Sequence, residues 1–192
     1  MKKFKFGFDF DCTIVNSIDL YTKIAKELGF PELICTDLTI YKIELCSHLS
    51  AEQVGKIISM AEEVYELEYK PYFHAVKTLV DFGLPPIVSA RKKNPTLWME
   101  KYFPGSDNFY PVGSNDKVQA LMDLGIEYFF DDRLETCFEL AEAGITPIVY
   151  NQPWNQANHP FETVDNWYDI GDILEAISCV DSMKRIYPKL NL

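Results

Sequence analysis

The sequence predicts an α/β protein in which helices cover both faces of a parallel β-sheet. Its 192 residues, 47% of them apolar, are enough for one buried core. Short apolar runs rich in aromatic and β-branched residues alternate with helical patterns, and this alternation is typical of right-handed strand–helix–strand units. We therefore expect one core with one insertion.

Five apolar runs have the length and the flanking residues of β-strands, because each is short and is bordered by Gly, Pro or polar residues. The first run sets Phe at every second position and places Asp9 and Asp11 in the alternate positions. Alternate side chains of a strand point to opposite faces, so both carboxylates should share one face. The predicted strands span residues 4–10, 84–89, 109–112, 126–131 and 145–150.

The first strand departs from the pattern typical of strands in a parallel sheet that helices cover on both faces. A strand buried on both faces is normally apolar at almost every position. Lys5 and Gly7 interrupt the apolar residues here. We expect Gly7 to admit a closely packed helix and Lys5 to lie at the other end of the strand.

Four helical patterns follow the insertion, and Gly or Pro marks where each one stops. Glycine just beyond a helix accepts the left-handed conformation that commonly ends it. The predicted helices span residues 73–82, 95–102, 115–124 and 133–143, and they stop before Gly83, Pro104, Gly125 and Gly144.

Residues 18–71 interrupt the alternation, with helical patterns and no convincing strand. Ser50 and Gln53 fit a capping box that opens the second of these helices. We interpret the segment as a small helical cap over the carboxyl ends of the strands, where α/β sheets bind ligands. The predicted domains are a core of residues 1–17 and 72–192 and a cap of residues 18–71.

Charge and composition exclude several classes of protein. The net charge of −11 argues against binding to a nucleic-acid polymer, which requires many Lys and Arg contacts. No segment has the apolar core of a signal peptide or the roughly 20 apolar residues that cross a bilayer. We expect a soluble, cytoplasmic protein without membrane contact. Five scattered cysteines without a CxxC pair indicate reduced, packed thiols.

Polar residues occur at or just beyond the ends of four predicted strands. The carboxyl ends of parallel strands meet on one edge of the sheet, so residues 80 or more apart in sequence can share one pocket. These residues are Asp9 and Asp11 after the first strand, Ser89 after the second, Lys117 after the third, and Asp131 and Asp132 after the fourth.

Such a pocket suits phosphoryl transfer with a divalent cation. Neighbouring carboxylates repel one another unless a cation intervenes, and Mg²⁺ prefers oxygen ligands and works beside phosphate. Asp9, the backbone carbonyl of Asp11, and Asp132 would supply part of an octahedron. Lys117 and Ser89 would bind phosphate. Asp9 would attack phosphorus, while Asp11 would act as the acid and base.

The motifs DFDCT (9–13), IVSAR (87–91), Lys117 and FFDD (129–132) occur in an order that resembles the haloacid dehalogenase superfamily of phosphatases. Within it, the chain is similar to the 5'(3')-deoxyribonucleotidase-like group. The points of similarity are the short helical segment after the first motif, the helix after SAR that ends in KYFP, the lysine about one helix before FDDR, and PWN after the last predicted strand.

The resemblance implies a Rossmann-like three-layer core with strand order 5-4-1-2-3. It also implies Mg²⁺-dependent hydrolysis of a nucleoside monophosphate through an aspartyl-phosphate. A double Asp takes the place of the Gly-Asp pair of the last motif, so Asp132 is expected at the metal and Asp131 beside it. The implied residues are catalytic Asp9 and Asp11; phosphate-binding Ser89, Ala90 and Lys117; metal-binding Asp9, Asp11 and Asp132; and supporting Asp131, Thr13 and Arg91.

Each of these residues also has an ordinary structural interpretation. Asp9 and Asp11 fit the solvated face of a half-buried strand, and Ser89 fits a turn or a helix cap. Lys117 fits an ordinary surface lysine. Asp131 and Asp132 could cap the helix that follows them. Arg91 could bind phosphate, bind a residue of the cap or face solvent. Base stacking and helix packing are both open for four tyrosines, Tyr21, Tyr41, Tyr65 and Tyr69.

Two other functions remain open at this point. A receiver-type regulatory protein also places acidic residues, a hydroxyl and a lysine at strand ends, but in a different order along the chain. A phosphatase for another small phosphorylated metabolite, of the sugar phosphate or phosphoglycolate type, would share every motif. The expected partner is a small phosphorylated substrate. The oligomeric state stays open, with a homodimer among the options.

Overall fold

Six parallel strands form one sheet in the computed structural model, which describes residues 4–113 and 116–186. The strands are β1 (Phe6–Phe8), β2 (Ile87–Ser89), β3 (Phe109–Pro111), β4 (Tyr128–Asp131), β5 (Thr146–Tyr150) and β6 (Glu162–Val164). Their order is β3-β2-β1-β4-β5-β6, and every pairing is parallel. The α/β class is confirmed. The order contains the expected 5-4-1-2-3 arrangement and adds β6 at one edge.

Helices pack on both faces of the sheet. Phe129 and Phe130 are consecutive in β4 but belong to different buried clusters, one with Leu121 and Leu140 and the other with Trp167. This alternation confirms a three-layer arrangement. The helices are α1 (Ser17–Glu27), α2 (Ile43–Cys46), α3 (Ala51–Glu63), α4 (Ala75–Asp81), α5 (Thr96–Tyr102), α6 (Lys117–Leu124), α7 (Leu134–Glu142) and α8 (Trp167–Ile186).

The helix ends follow the sequence signals closely. Gly125 and Gly144 adopt φ values of 70° and 81° just beyond α6 and α7, a conformation that favours glycine. The predicted helix 115–124 begins at Asn115, which lies outside the described residues, and the observed α6 starts at Lys117. No helix in the described part of the chain is long and apolar enough to cross a membrane.

The close neighbours of Gly7 come from β4 and from the residue just before β2, and the expectation of a helix at this position is wrong. Gly7 pairs with Phe129 across the sheet. A Cβ atom at Gly7 would lie 3.1 Å from the carbonyl oxygen of Pro86 and 3.4 Å from the Phe129 ring. The Phe129 ring therefore occupies the space that a side chain of β1 would fill. Lys5 lies before the strand and forms an ion pair with Glu127.

Helices α2 and α3, together with α1 from its second residue on, lie in the segment of residues 18–71, which we call the helical segment. The predicted capping box is confirmed, because Ser50 and Gln53 each accept a hydrogen bond from the other's backbone N–H at the start of α3. The two ends of the segment are joined through the backbone. The N–H of Asn16 donates to the carbonyl of Lys70, and the N–H of Tyr72 donates to that of Ile14, both at 2.9 Å.

Candidate active site

Three buried carboxylates meet where β1 and β4 end. Asp9 follows β1, and its backbone N–H donates to the carbonyl of Phe130 at 2.8 Å. Asp131 ends β4, and Asp132 follows it. One oxygen from each of Asp9, Asp131 and Asp132 lies within 4.8 Å of the others. We call these three residues the acidic cluster.

Lys117, the first residue of α6, is a buried partner of the acidic cluster. Its Nζ donates to Asp9 Oδ1 at 2.8 Å and to Asp131 Oδ2 at 2.9 Å. Burial opposes the charged form of Lys117, but Asp131 and Asp9 outweigh it and raise the pKa of the ammonium group. The lysine is therefore a fixed cation inside the site, and the interpretation as a surface lysine is wrong.

The acidic cluster carries more negative charge than Lys117 balances. Burial, together with neighbouring Asp131, raises the pKa of Asp9 to about 7 in spite of Lys117. Burial also raises the pKa of Asp132 well above its usual range, and Asp131 and Asp9 add to the effect. Three oxygen donors in this arrangement fit a hard divalent cation such as Mg²⁺.

Asp131, the last residue of β4, and Asp132, which follows it, have different hydrogen-bond partners. Both oxygens of Asp131 accept hydrogen bonds, one from Lys117 and one from the backbone N–H of Arg133 at 2.9 Å. The carboxylate of Asp132 accepts a hydrogen bond at Oδ2 from Trp154 Nε1, at 2.9 Å. The metal role predicted for the backbone carbonyl of Asp11 stays a prediction.

Asp11 forms a two-point ion pair with Arg91, although 80 residues separate them. Arg91 Nε and Nη2 each lie 2.7 Å from an oxygen of Asp11, and Ser17 Oγ donates to the same carboxylate at 2.5 Å. The guanidinium carbon packs against the rings of Phe10 and Tyr69, at 4.7 and 4.4 Å from their centroids. Burial alone would raise the pKa of Asp11, but Arg91 and Ser17 lower it. Arg91 is buried, so the solvent-facing interpretation is wrong.

The other predicted residues differ in their access to the site. Ser89 and Ala90 line a cavity beside Asp9 and Lys117, and Ser89 Oγ accepts a hydrogen bond from the backbone N–H of Arg91 at 3.3 Å. Thr13 is fully buried, and its Oγ1 has no hydrogen-bond partner among the described residues. The structure thus brings Ser89 and Ala90 to the cavity, whereas Thr13 is not among the residues that line it.

Two adjoining cavities open at this edge of the sheet, each of about 200 Å³. The polar cavity is bordered by Asp9, Ser89 and Lys117. The apolar cavity lies mainly among residues of the helical segment. Asp11, Tyr21, Tyr41 and Ile58 border both. The residues that line the apolar cavity include Ile18, Leu38, Ile40, Ile43, Val54 and Trp154.

The four tyrosines considered in the sequence have different positions. Tyr21 and Tyr41 line both cavities. Tyr69 packs against Arg91, and the hydroxyl of Tyr65 donates to Glu27 at 2.6 Å. Only the first two are therefore placed to contact a bound ligand.

Sequence reasoning identified PWN as a motif but not its role. The motif forms a short 3₁₀ turn, Pro153–Asn155, between β5 and β6. Trp154 binds the carboxylate of Asp132, and Asn155 Nδ2 donates to the backbone carbonyl of Asp132 at 2.9 Å. The signal in the sequence is the position of PWN just after a predicted strand. A turn at that place can contact the end of the neighbouring strand, as this one contacts Asp132 after β4.

Comparison with known proteins supports the resemblance found in the motifs. No family model matches the sequence. The chain is 27% identical over 188 residues to a protein of Bacillus cereus named "Putative nucleotidase", covering 89% of this chain and 98% of that protein. It is 24% identical over 199 residues to "Putative nucleotidase YqfW" of Bacillus subtilis, covering 97% and 98% of the two chains.

Comparison with solved structures gives the fold. A solved HAD-family hydrolase of Deinococcus radiodurans, with bound phosphate and sodium, matches with a TM-score of 0.58. The two sequences are 15% identical, and the match covers 91% of this chain and 96% of the other. The chain thus has the haloacid dehalogenase-type fold, and its predicted resemblance to the nucleotidase-like phosphatases of that superfamily is confirmed.

Proposed function

We propose that the protein is a Mg²⁺-dependent phosphomonoester hydrolase that acts on nucleoside monophosphates, most readily the deoxy forms, through an aspartyl-phosphate. The observation that carries this proposal is the acidic cluster, with Lys117 bonded to Asp9 beside a cavity lined by Ser89. Relatives named as nucleotidases match over nearly the whole chain, which supports the substrate class.

The acidic cluster would hold the magnesium ion, with Asp9 and Asp132 as side-chain ligands. Asp131 fits a supporting role, because Lys117 and the backbone of Arg133 already use both of its oxygens. When bound, the ion would supply positive charge that reduces repulsion between the carboxylates and the phosphate.

Asp9 and Asp11 would divide the chemistry between them. A carboxylate oxygen of Asp9 would attack phosphorus, forming the aspartyl-phosphate as the bond from phosphorus to the substrate oxygen breaks. Asp11 would have to part from Arg91 and take up a proton before it gives that proton to the departing oxygen, and it would then take one from the water that attacks the aspartyl-phosphate. Lys117 and Ser89 would hold the phosphate oxygens during both steps.

The apolar cavity supports a nucleoside as the organic part of the substrate. It adjoins Asp11 and Asp132, and Tyr21, Tyr41 and Trp154 lie in its wall. Aromatic and aliphatic side chains favour a planar, weakly polar group such as a nucleobase. Phosphoglycolate and sugar phosphates have no such group, so the apolar lining favours the nucleotide over these alternatives. In this proposal the helical segment acts as the cap of the site.

The test is phosphate release from a panel of deoxynucleoside monophosphates, ribonucleotides, sugar phosphates and phosphoglycolate. We expect turnover with Mg²⁺, none with a chelator, and the highest kcat/KM on a deoxynucleoside monophosphate. Asp9→Asn should lower kcat by about 10³-fold or more, because the nucleophile is lost.

Asp172→Asn is the matched control, since Asp172 is an exposed carboxylate of α8. It should retain full activity. Wild-type rates in Asp9→Asn, or no turnover of any phosphomonoester by the wild type, would contradict the proposal. A higher kcat/KM on a sugar phosphate than on any nucleotide would support the proposed reaction but contradict the proposed substrate.

A further inference from the structure

We propose that Trp154 is a positioning residue that holds the metal-binding carboxylate of Asp132 with its indole N–H and forms part of the apolar cavity with the same ring. It would therefore join cation binding to recognition of the organic group of the substrate. This inference rests on the proposed function, because it takes Asp132 to be a ligand of Mg²⁺.

The first step in the argument is the contact itself. Trp154 Nε1 lies 2.9 Å from Asp132 Oδ2, and an indole nitrogen can only donate. Within residues 4–113 and 116–186, Trp154 is the one side chain that donates a hydrogen bond to the Asp132 carboxylate. A neutral donor on one oxygen fixes the rotation of the carboxylate and leaves the other oxygen for a cation.

The second step is the support of the turn that carries Trp154. Asn155 Nδ2 donates to the backbone carbonyls of Asp132 and Tyr150, at 2.9 and 2.8 Å. Gln152 Nε2 donates to the carbonyl of Cys12, in the loop after β1, at 2.8 Å. Buried Gln152 and Asn155 thus tie the turn to the ends of β1, β4 and β5. The indole therefore has a fixed position relative to the acidic cluster.

The third step is the position of the ring. Trp154 lines the apolar cavity together with Ile18, Leu38 and Tyr41, and Asp132 borders the same cavity. A group bound in this cavity would pack against the ring whose N–H holds Asp132. The two functions of Trp154 depend on different parts of the side chain, so substitutions can separate them.

The experiment measures Mg²⁺ affinity by isothermal titration calorimetry without substrate, and KM and kcat at saturating Mg²⁺. Trp154→Phe keeps a ring but loses the donor. Its Mg²⁺ affinity should fall by about 10- to 100-fold, the usual effect of removing a residue that supports a metal ligand. Excess Mg²⁺ should restore its kcat, and its KM should stay close to the wild-type value.

Trp154→Gln makes the opposite change, because the glutamine side chain has an N–H donor but no ring. It should bind Mg²⁺ more tightly than Trp154→Phe and have a raised KM for the nucleotide. Trp98→Phe is the matched control. The indole of Trp98 donates to the backbone carbonyl of Tyr69 at 2.9 Å and makes no hydrogen bond to the acidic cluster. This variant should keep the wild-type Mg²⁺ affinity.

Several outcomes would overturn the inference. Wild-type Mg²⁺ affinity in folded Trp154→Phe would do so, as would an equal loss of affinity in Trp98→Phe, which would indicate a general effect on the core. Both results leave the proposed function intact as long as the wild type binds Mg²⁺ and hydrolyses nucleotides. A wild type that binds no Mg²⁺ would overturn the proposed function and this inference together.

Discussion

Arg91 and Asp11 link the first and second motifs through an ion pair between a buried guanidinium and a half-buried carboxylate. Two N–H donors of the planar guanidinium match the two carboxylate oxygens, an arrangement that lysine cannot reproduce. The guanidinium packs against the rings of Phe10 and Tyr69, and Arg91 is buried. Such a pair costs desolvation energy for both charges, so removing one partner leaves the other buried and uncompensated.

We predict that Arg91→Met lowers the free energy of unfolding by up to about 3 kcal/mol, the lower end of the range for a buried pair, because Arg91 is buried whereas Asp11 is half-buried. Urea denaturation followed by circular dichroism measures the change. Lys77→Met is the control, since Lys77 pairs with Asp81 on the exposed surface of α4. It should change stability by about 0.5 kcal/mol or less. Equal effects of the two substitutions would contradict the prediction.

Individual residues differ in how well the sequence predicts their surroundings. Asp9 and Lys117 were placed correctly at one edge of the sheet, because strand ends in a parallel sheet share that edge. The partner of Arg91 could not be predicted, since its burial depends on rings 22 and 81 residues away along the chain. Trp154 was visible only as part of a motif, and its role depends on a contact with Asp132.

Strand β1 shows how an element can be predicted while its packing is not. The alternating Phe residues predict the strand and the face that Phe8 buries, where its ring stacks on Phe130 at 4.7 Å. The opposite face at Gly7 is filled by Phe129 and approached by Pro86. Both residues are distant in sequence, so the pattern within β1 contains no information about them.

We predict that Gly7→Ala lowers the free energy of unfolding by about 1 to 3 kcal/mol. The new methyl group would lie 3.1 Å from the carbonyl oxygen of Pro86, and backbone atoms would have to move. Gly55→Ala is the matched control, because nothing lies within 4 Å of a Cβ at this position in α3. It should raise stability by about 0.5 to 1 kcal/mol, as alanine favours a helix interior.

Chemical denaturation of both variants measures the difference. A Gly7→Ala protein as stable as the wild type would show that β1 and β2 can separate slightly without cost.

Strand β6 and helix α8 were not predicted. β6 has three residues, and two of them, Glu162 and Thr163, are exposed, so no apolar run marks it. Among the residues of α8 whose side chains the structure describes, 167–180 and 182, the buried ones are Trp167, Ile170 and Leu174. A pattern that covers only two turns of a 20-residue helix gives a weak periodic signal.

At the scale of the whole molecule, the helical segment shares its core with the sheet. Buried Tyr21, Ile24 and Ile57 of the segment belong to the same apolar cluster as Phe10 and Trp98. The sequence predicts a separate cap because the segment interrupts the alternation of strands and helices. Whether two units share a core depends on which apolar faces meet, and periodicity within each helix does not determine this.

We predict that the helical segment and the sheet unfold in one cooperative transition, since separating them would expose the shared cluster to water. All three tryptophans, Trp98, Trp154 and Trp167, lie outside the helical segment. Their fluorescence therefore reports the sheet side of the molecule, whereas far-UV circular dichroism also includes α1 and α3. The two urea curves should have the same midpoint and the same slope.

Hydrogen exchange with mass spectrometry provides the more local measurement. Amides of α1 and α3 should exchange through the same opening as those of β1 and β4, with equal free energies at moderate urea concentrations. Early exchange of α1 and α3, at a urea concentration that leaves β1 and β4 protected, would show instead that the segment opens as an independent unit. In that case the site would lose the tyrosine-lined wall of the apolar cavity without loss of the acidic cluster, since Tyr21 and Tyr41 belong to the segment and Asp9, Asp131 and Asp132 to the strand ends.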